Sequence, residues 1–269
     1  MALTVRARLK LTLRLAALAP AFALGLPAQW LALQLKSRAA LWLPVLFHRY
    51  LCFILGVRIE RVGEPSPERP LLIVSNHVSW LDIVVLSAIQ PVSFIAKSEV
   101  GTWPGIRTLA RLQRSVFVER ERRTKTGAVN AEIAERLQSG DAMVLFGEGT
   151  TSNGLRVLPF RSAILGAVQG LAGSGPSAIQ PLAIRYTSLA GLPIGRSEMA
   201  HIAWYGDMDL SPHLAELLAG PPIVVRVVFP PPVVVEPGAD RKALTRDVES
   251  KVRSAFETGQ PLPDLCETG

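Results

Sequence analysis

The stretch "LLIVSNHVSWLDIVVLSAI", residues 71–89, places two hydrophobic segments on either side of one polar turn. Leu71 to Val74 is a continuous apolar run of strand length, the pattern of a strand covered on both faces. Residues 79–89 form a helix candidate, and Ser75-Asn76-His77 lies where the first element gives way to the second. A strand feeding a helix through a short turn is half of a βα unit.

The same alternation continues outward. Further strand candidates are 92–96, 115–118, 143–146, 179–185 and 223–229, with helix candidates at 105–113, 124–139, 161–171, 212–219 and 240–256. In the 124–139 segment Val129, Ile133 and Leu137 recur at four-residue spacing, and Gly140 supplies a stop. "GVRIERVG" (56–63) alternates polar and apolar residues, "EPSPERP" (64–70) is a turn-rich connection, and "PPPVVVEPG" (230–238) is an edge strand or a loop. The alternation predicts one α/β catalytic domain, residues 57–269, with a largely parallel central sheet flanked by helices.

Residues 1–56 have a different texture and are expected to form an N-terminal apolar helical membrane-associating segment. "LAALAPAFALGLPAQWLALQL" (15–35) is 21 residues without a charge, about 32 Å as a helix. Pro20, Gly25 and Pro27 are expected to interrupt it. A second apolar stretch, "AALWLPVLF" and then "LCFILGV", is broken by His48-Arg49-Tyr50. Two imperfect apolar helices with basic and aromatic edges suit a monotopic anchor as well as a span. A cleaved signal peptide, with "AFA" at 21–23 as its cleavage site, is the rival reading.

Charge locates the partner. The chain has a net charge of +7, yet Arg6, Arg8, Lys10, Arg14, Lys36, Arg38, Arg49 and Arg58 lie within the first 59 residues, which hold no acidic residue. The remainder is nearly neutral. A basic segment interleaved with apolar runs suits an anionic bilayer surface, and no zinc-finger or aromatic RNA-binding pattern points to nucleic acid. Cys52 and Cys266 lack CxxC or Cys/His spacing, which argues against a disulfide framework or a zinc site. His201 and His213 have no carboxylate or cysteine at ligand spacing and are expected in core or surface roles.

In such sheets, sites gather where strands end and helices begin. One junction is residues 75–82. The other is "VLFGEGTTSNG" (144–154), where an apolar strand runs into a Gly- and hydroxyl-rich turn containing Glu148. Both are expected at the same end of the sheet. At the first, Ser79-x-x-Asp82 has capping-box spacing, so Asp82 can simply hold backbone N–H groups, and Asn76 can cap a turn. Alternatively Asp82 orients His77 as a general base. Positions five apart on a helix are about 140° apart, so that pair meets only if His77 precedes the helix. With no GxSxG elbow and no Cys–His neighbour, such a pair would activate a hydroxyl belonging to the substrate.

"NHVSWLD" together with "FGEGTTS" resembles the paired signature NH-x4-D and FPEGTRS of the glycerolipid acyltransferase family, lysophosphatidic acid acyltransferase type. "SVFVER" (115–120) is similar to its second block and "IQPLAI" (179–184) to its fourth, so four blocks fall in order over roughly residues 57–230. "AKSEVGTWPGIRTLARLQRSVFVER", "EGTTSNGLRVLPFRSA" and "WYGDMDLSPHL" look closer still to the bacterial lyso-ornithine lipid acyltransferases within that family.

The resemblance implies transfer of a fatty acyl group from an acyl-carrier-protein or CoA thioester to the free hydroxyl of a lysolipid. The acceptor would be 1-acyl-glycerol-3-phosphate, lyso-ornithine lipid, or both. His77 would be the catalytic base and Asp82 its orienter. Arg120, Glu148, Gly149 and Thr150 would bind the head group, with Asn76 and Thr151 of the same blocks in the binding set. Arg161 matches a basic position that follows the third block. The implied partners are the bilayer, the lysolipid and the acyl donor, with no metal or other cofactor, at the cytoplasmic face of the inner membrane. Gly147 replaces the usual proline, Arg114 the usual glycine and Thr151 the usual arginine. Two other classes compete: a thioesterase or lipid hydrolase using the same pair, and a non-catalytic lipid-binding protein.

Overall fold

The structure is a computed structural model of the chain and describes residues 4–103, 105–118, 123–162, 177–235 and 239–261. Two long helices come first, α1 (Val5–Gln34) and α2 (Ala39–Leu55). A sheet follows, built from β1 (Val57–Val62), β2 (Leu71–Ser75), β3 (Ser93–Lys97), β4 (Val116–Val118), β5 (Ala142–Phe146), β6 (Ser177–Leu189), β7 (Leu192–Pro193), β8 (Ile223–Val228) and β9 (Val233–Val235). Its helices are α3 (Leu81–Ile89), α4 (Ile106–Leu112), α5 (Arg123–Gln138), α6 (Arg196–Met199), α7 (Leu210–Ala219) and α8 (Arg241–Thr258).

The strand order is β1-β8-β6-β2-β5-β3-β4, with β7 and β9 added against β6. Pairings β1/β8, β6/β2, β2/β5, β5/β3 and β3/β4 are parallel, as the βα alternation predicts. Strand β6 is the exception: it runs antiparallel to β7, β8 and β9. The proline-rich 230–238 segment supplies β9, an edge strand on the start of β6. The expected helix at 161–171 lies outside the described residues beyond Ser162.

Strand β2 sits at the centre and is buried at every position, which explains its unbroken apolar run. Its two faces belong to different cores. Leu71 and Ile73 pack with Val84, Val85, Leu182 and Ile184, and with Leu18, Cys52 and Leu55 of the first two helices. Leu72 and Val74 pack with Ile133 and Leu137 of α5 and with Val248, Val252 and Phe256 of α8. The inner faces of α1 and α2 therefore belong to the same core as the sheet.

Two expectations about the N-terminal segment change. Helix α1 runs unbroken through Pro20, Gly25 and Pro27, although proline removes a donor and crowds the preceding turn. Packing holds it: Phe22 meets Phe47 of α2 edge-on at 5.0 Å, and Gln29 Nε2 donates to the carbonyls of Ala40 and Leu112 at 3.0 and 2.8 Å. The basic charge also divides. Arg14 donates to the carbonyls of Leu55, Leu218 and Gly220, Lys10 to Gly220, and Arg49 to Ala88 and Ile89. These carbonyls lie at the ends of α2, α7 and α3, where unsatisfied C=O groups and the helix dipole favour a cation.

The outer face of this hairpin remains apolar and open. Val5, Leu24, Trp30, Leu35, Trp42, Leu46 and Phe53 are exposed, Phe53 to 78%. By length and composition α1 is sufficient to cross a bilayer.

Arg114, where the resemblance expects glycine, has a φ of 61°, a conformation that favours glycine. Its guanidinium Nη2 donates to Asp141 Oδ2 at 2.6 Å, and Arg136 Nε donates to the same oxygen at 3.0 Å. The glycine usual there is thus accounted for by the backbone, and the arginine is tied down through its side chain.

Candidate active site

Strands β2 and β5 are parallel neighbours in register, Ser75 opposite Phe146. Both junctions singled out in the sequence therefore open at the same sheet edge, with His77 and Glu148 each two residues beyond its strand. The loops are stitched together by main-chain hydrogen bonds. Gly147 N–H donates to Ser75 O at 2.9 Å, Ser152 N–H to His77 O at 2.8 Å, and Arg161 N–H to Gly147 O at 2.9 Å.

His77 lies in the turn before α3, the placement the pair requires. Its Nδ1 is 2.8 Å from Asp82 Oδ2. A carboxylate oxygen is the acceptor of this bond, so Nδ1–H is its donor and Nε2 is the ring nitrogen left outside the pair. Asp82 is fully buried and does more than orient the ring. The same Oδ2 accepts the N–H groups of Val78 at 2.7 Å and Ser79 at 3.0 Å, while Oδ1 accepts the Tyr186 hydroxyl at 2.6 Å. One carboxylate oxygen therefore both caps the start of α3 and holds the imidazole ring.

The imidazole is also held by its face. Phe146 stacks on it with 3.7 Å between centroids and 10° between planes, and Phe94 stacks behind Phe146. Neither aromatic was singled out in the sequence. Phe146 was within reach, since it directly precedes the Gly-Glu-Gly turn and pairs with Ser75. Tyr186 lies 104 positions beyond Asp82, and no local pattern in the chain marks it.

Asn76 is buried, and Ile184 occupies both ends of its carboxamide: Nδ2 donates to Ile184 O at 2.9 Å and Oδ1 accepts Ile184 N–H at 2.8 Å. The side chain thus continues the β2/β6 ladder past its last residue pair and fixes where His77 begins. Its observed contacts anchor the loop.

Glu148 is buried, with Oε1 accepting Leu158 N–H at 3.0 Å and Oε2 unpartnered among the described residues. Burial pushes its carboxyl from 4.5 up to about 8, against the Leu158 hydrogen bond, with nearby Asp82 adding to the rise. A neutral acid here can offer a hydrogen bond from Oε2. Gly149 closes the turn at φ 69° and donates to Phe146 O at 3.0 Å. Thr150 is exposed and Thr151 half-buried at the rim, and the Arg161 side chain is exposed. Arg120 lies outside the described residues.

Gly147 has a specific reason to lack a side chain. A Cβ there would stand 2.5 Å from the Phe160 ring, so the ring takes the volume that the usual proline would fill. Helix α8 secures this loop: Glu249 Oε2 accepts Phe160 N–H at 2.9 Å and Arg253 Nη1 donates to Val157 O at 2.8 Å. Of the two histidines without a ligand pattern in the sequence, His213 is buried and accepts Trp80 Nε1–H at 2.9 Å, and His201 pairs on the surface with Glu216 at 2.5 Å.

A mostly parallel α/β sheet that ends in a buried carboxylate, an imidazole bonded to it and a glycine-rich turn is an arrangement chemically suited to general-base transfer or hydrolysis. Comparison with known proteins selects between the two. Residues 58–185 match the family described as Acyltransferase. The chain is 49% identical to the lyso-ornithine lipid O-acyltransferase of Brucella abortus, over 89% of this chain and 92% of that one. It is 43% identical to the enzyme of the same description from Rhizobium meliloti, over 85% and 79%. The crystal structure of the 1-acyl-sn-glycerophosphate (LPA) acyltransferase from Thermotoga maritima shares the fold, with a TM-score of 0.66 and 22% identity over 93% of this chain and 94% of that one. The chain belongs to the acyltransferase family.

The raised Glu148 carboxyl has a consequence for stability. The folded state holds this proton between about pH 4.5 and 8, while the unfolded chain releases it. The contribution is therefore fully present below pH 4.5 and is lost as pH rises through 8, on the order of 5 kcal/mol. Glu148→Gln keeps an acceptor for Leu158 but cannot ionise. Melting temperatures measured at pH 5 and pH 8 should converge in this variant relative to the parent; an identical pH slope in the two proteins would contradict a buried neutral acid.

Proposed function

We propose that this chain is a membrane-associated lysolipid O-acyltransferase that uses His77 and Asp82 as base and orienter. The single observation that carries the mechanism is the 2.8 Å Nδ1–Oδ2 bond, which leaves Nε2 as the free basic nitrogen. Nε2 takes the proton of the lysolipid hydroxyl as that oxygen attacks the thioester carbonyl. The tetrahedral intermediate collapses with loss of the thiolate, which recovers the proton from the imidazolium. An ester and a free thiol result, and the ring returns to its starting state. The donor is an acyl-carrier-protein or CoA thioester acting as co-substrate.

Relatives named for lyso-ornithine lipid support that lipid as the principal acceptor, and Thr151 supports it independently. A phosphate monoester is close to dianionic, and arginine grips it through a bidentate fork that threonine cannot supply. An ornithine head group carries both carboxylate and ammonium and needs less concentrated positive charge. With Arg120 and Arg161 retained, lysophosphatidic acid remains a second acceptor. Glu148, whose Oε2 is buried in the turn, supports the acceptor site by bracing the glycine-rich turn through Leu158.

The apolar outer face of α1 and α2 supports attachment to the bilayer, and the supply of acyl thioesters supports the cytoplasmic face of the inner membrane. The inner face of the hairpin is part of the core, so the test changes only outward residues. Trp30→Ser, Trp42→Ser and Phe53→Ser together should move protein from membrane to soluble fraction while the melting temperature holds. Persistence in the membrane pellet at high salt would place attachment elsewhere.

His77→Ala should lose about 10²–10⁴ in rate with folding and membrane binding intact, measured by mass spectrometry of products from a lysolipid and an acyl thioester. A folded variant with near-normal turnover removes the base. Release of free fatty acid without a lysolipid, as fast as transfer with one, would favour a hydrolase.

Thr151→Arg should shift the ratio of kcat/KM toward lysophosphatidic acid over lyso-ornithine lipid, compared with the parent at one salt concentration and with one donor. An unchanged ratio, or a shift the other way, means that residue 151 does not read the head group.

A further inference from the structure

We infer that Tyr186 is a positioning residue for the transfer, acting through Asp82 to keep the imidazole aligned and its basicity set. This rests on the His77–Asp82 mechanism proposed above. Four observations carry it. The phenol is buried to 2% exposure within the apolar cluster that includes Leu18, Cys52 and Leu55. A phenylalanine would supply the same packing, and a buried hydroxyl without a partner is costly. The hydroxyl therefore has a specific use, and its bond is the 2.6 Å contact with Asp82 Oδ1.

The second observation is the division of labour on the carboxylate. Oδ2 alone serves His77, Val78 and Ser79, and Oδ1 is left to Tyr186. Without the phenol, the carboxylate can turn about its Cβ–Cγ bond with little to oppose it. With both oxygens engaged, the oxygen facing Nδ1 is fixed in place.

The third lies in the strand. Register between β6 and β8 shifts between Tyr186 and Ser188, so the strand bulges immediately after Tyr186. Bulges re-aim side chains next to functional sites, and this one stands where the strand passes Asp82. The fourth is the protonation state. Burial, and then the Asp82 charge, hold the Tyr186 phenol well above its usual range, so it donates its proton to the carboxylate at every pH at which the enzyme works.

The bond also sets how much charge Oδ2 presents to His77. A donor on Oδ1 draws negative charge toward itself, and its removal leaves Oδ2 a stronger partner for an imidazolium. The titratable groups facing the Asp82 carboxylate are His77 and Tyr186, with Glu148 close enough to interact through space; Cys52 of α2 faces the phenol. Removing the tyrosine hydroxyl leaves the side chains of His77, Glu148 and Cys52 chemically unchanged, so a moved limb reports the lost hydrogen bond.

The test is Tyr186→Phe in the full chain, reconstituted in bilayers, assayed with lyso-ornithine lipid and an acyl thioester across pH. The expected result is a fall in kcat of about 10- to 100-fold, by analogy with the loss of an outer hydrogen-bond partner that orients a metal-bound imidazole. KM should stay within about threefold, since the phenol touches no substrate. The acid limb of the kcat/KM profile should move to higher pH. Replacing Tyr186 with 3-fluorotyrosine strengthens the donor and should move that limb to lower pH, which also covers the case in which Tyr186→Phe does not fold. A limb that moves in neither protein overturns the inference, as does a loss of activity that follows only a lowered melting temperature. His77→Ala run alongside separates the two levels: an inactive His77→Ala with unmoved limbs removes Tyr186 alone, whereas an active His77→Ala removes the mechanism beneath it.

Discussion

The Asp82 carboxylate accepts four hydrogen bonds while fully buried, from the His77 ring, the Val78 and Ser79 main chain and the Tyr186 hydroxyl. Much of the architecture near the site follows from satisfying that charge. A buried carboxylate is tolerated only with enough donors around it, and these come from three directions. The turn must curl so that two consecutive N–H groups point inward, which starts α3. The imidazole must lie ahead of the helix, where it shares the same oxygen. Strand β6 must arrive from more than a hundred residues away with a phenol at one position. The buried charge thus holds the loop, and the loop holds the imidazole in line with the carboxylate.

A comparable economy governs the first two helices. Their cations look like a uniform basic face in the sequence, yet Lys10, Arg14 and Arg49 are bound to carbonyls at the ends of other helices. Those contacts join α1 to α2 and cross from the hairpin to α3 and α7, so part of the positive charge holds the hairpin against the domain. The rest, including Arg6, Arg8 and Arg38, is available to an anionic surface. One hairpin thus carries an exposed apolar outer face and an inner side tethered by charged hydrogen bonds to main-chain carbonyls.

What could be read from the chain alone was whatever depended on neighbours in sequence. The run Leu71–Val74, the turn at His77 and the Gly-Glu-Gly turn each announce themselves over a few residues, and parallel pairing then brings them to one edge. The edge strand at 233–235 was legible from its valines, although not its partner. Properties set by distant packing were hidden. The prolines of α1 predict breaks, and only contacts with Phe47, Ala40 and Leu112 show why the helix continues. Asn76 has the composition of a binding residue, but the Ile184 main chain takes both ends of its amide. Tyr186 sits in a strand whose pattern fits apolar packing alone, so its hydroxyl has no signature until the fold delivers it to Asp82.

The contact between Gly147 and Phe160 bears on how this turn can change over generations. A side chain at 147 would collide with the aromatic ring, and a proline would also delete the N–H that holds Ser75. The glycine therefore cannot be exchanged first. Residue 160 has to become smaller before 147 can gain bulk, and in the reverse direction 147 has to be emptied before an aromatic ring can enter. The two positions form a ratchet with one permitted order of steps each way. From the glycine–phenylalanine pair of this chain, any route to bulk at 147 passes through a state with a hole in the wall of the turn.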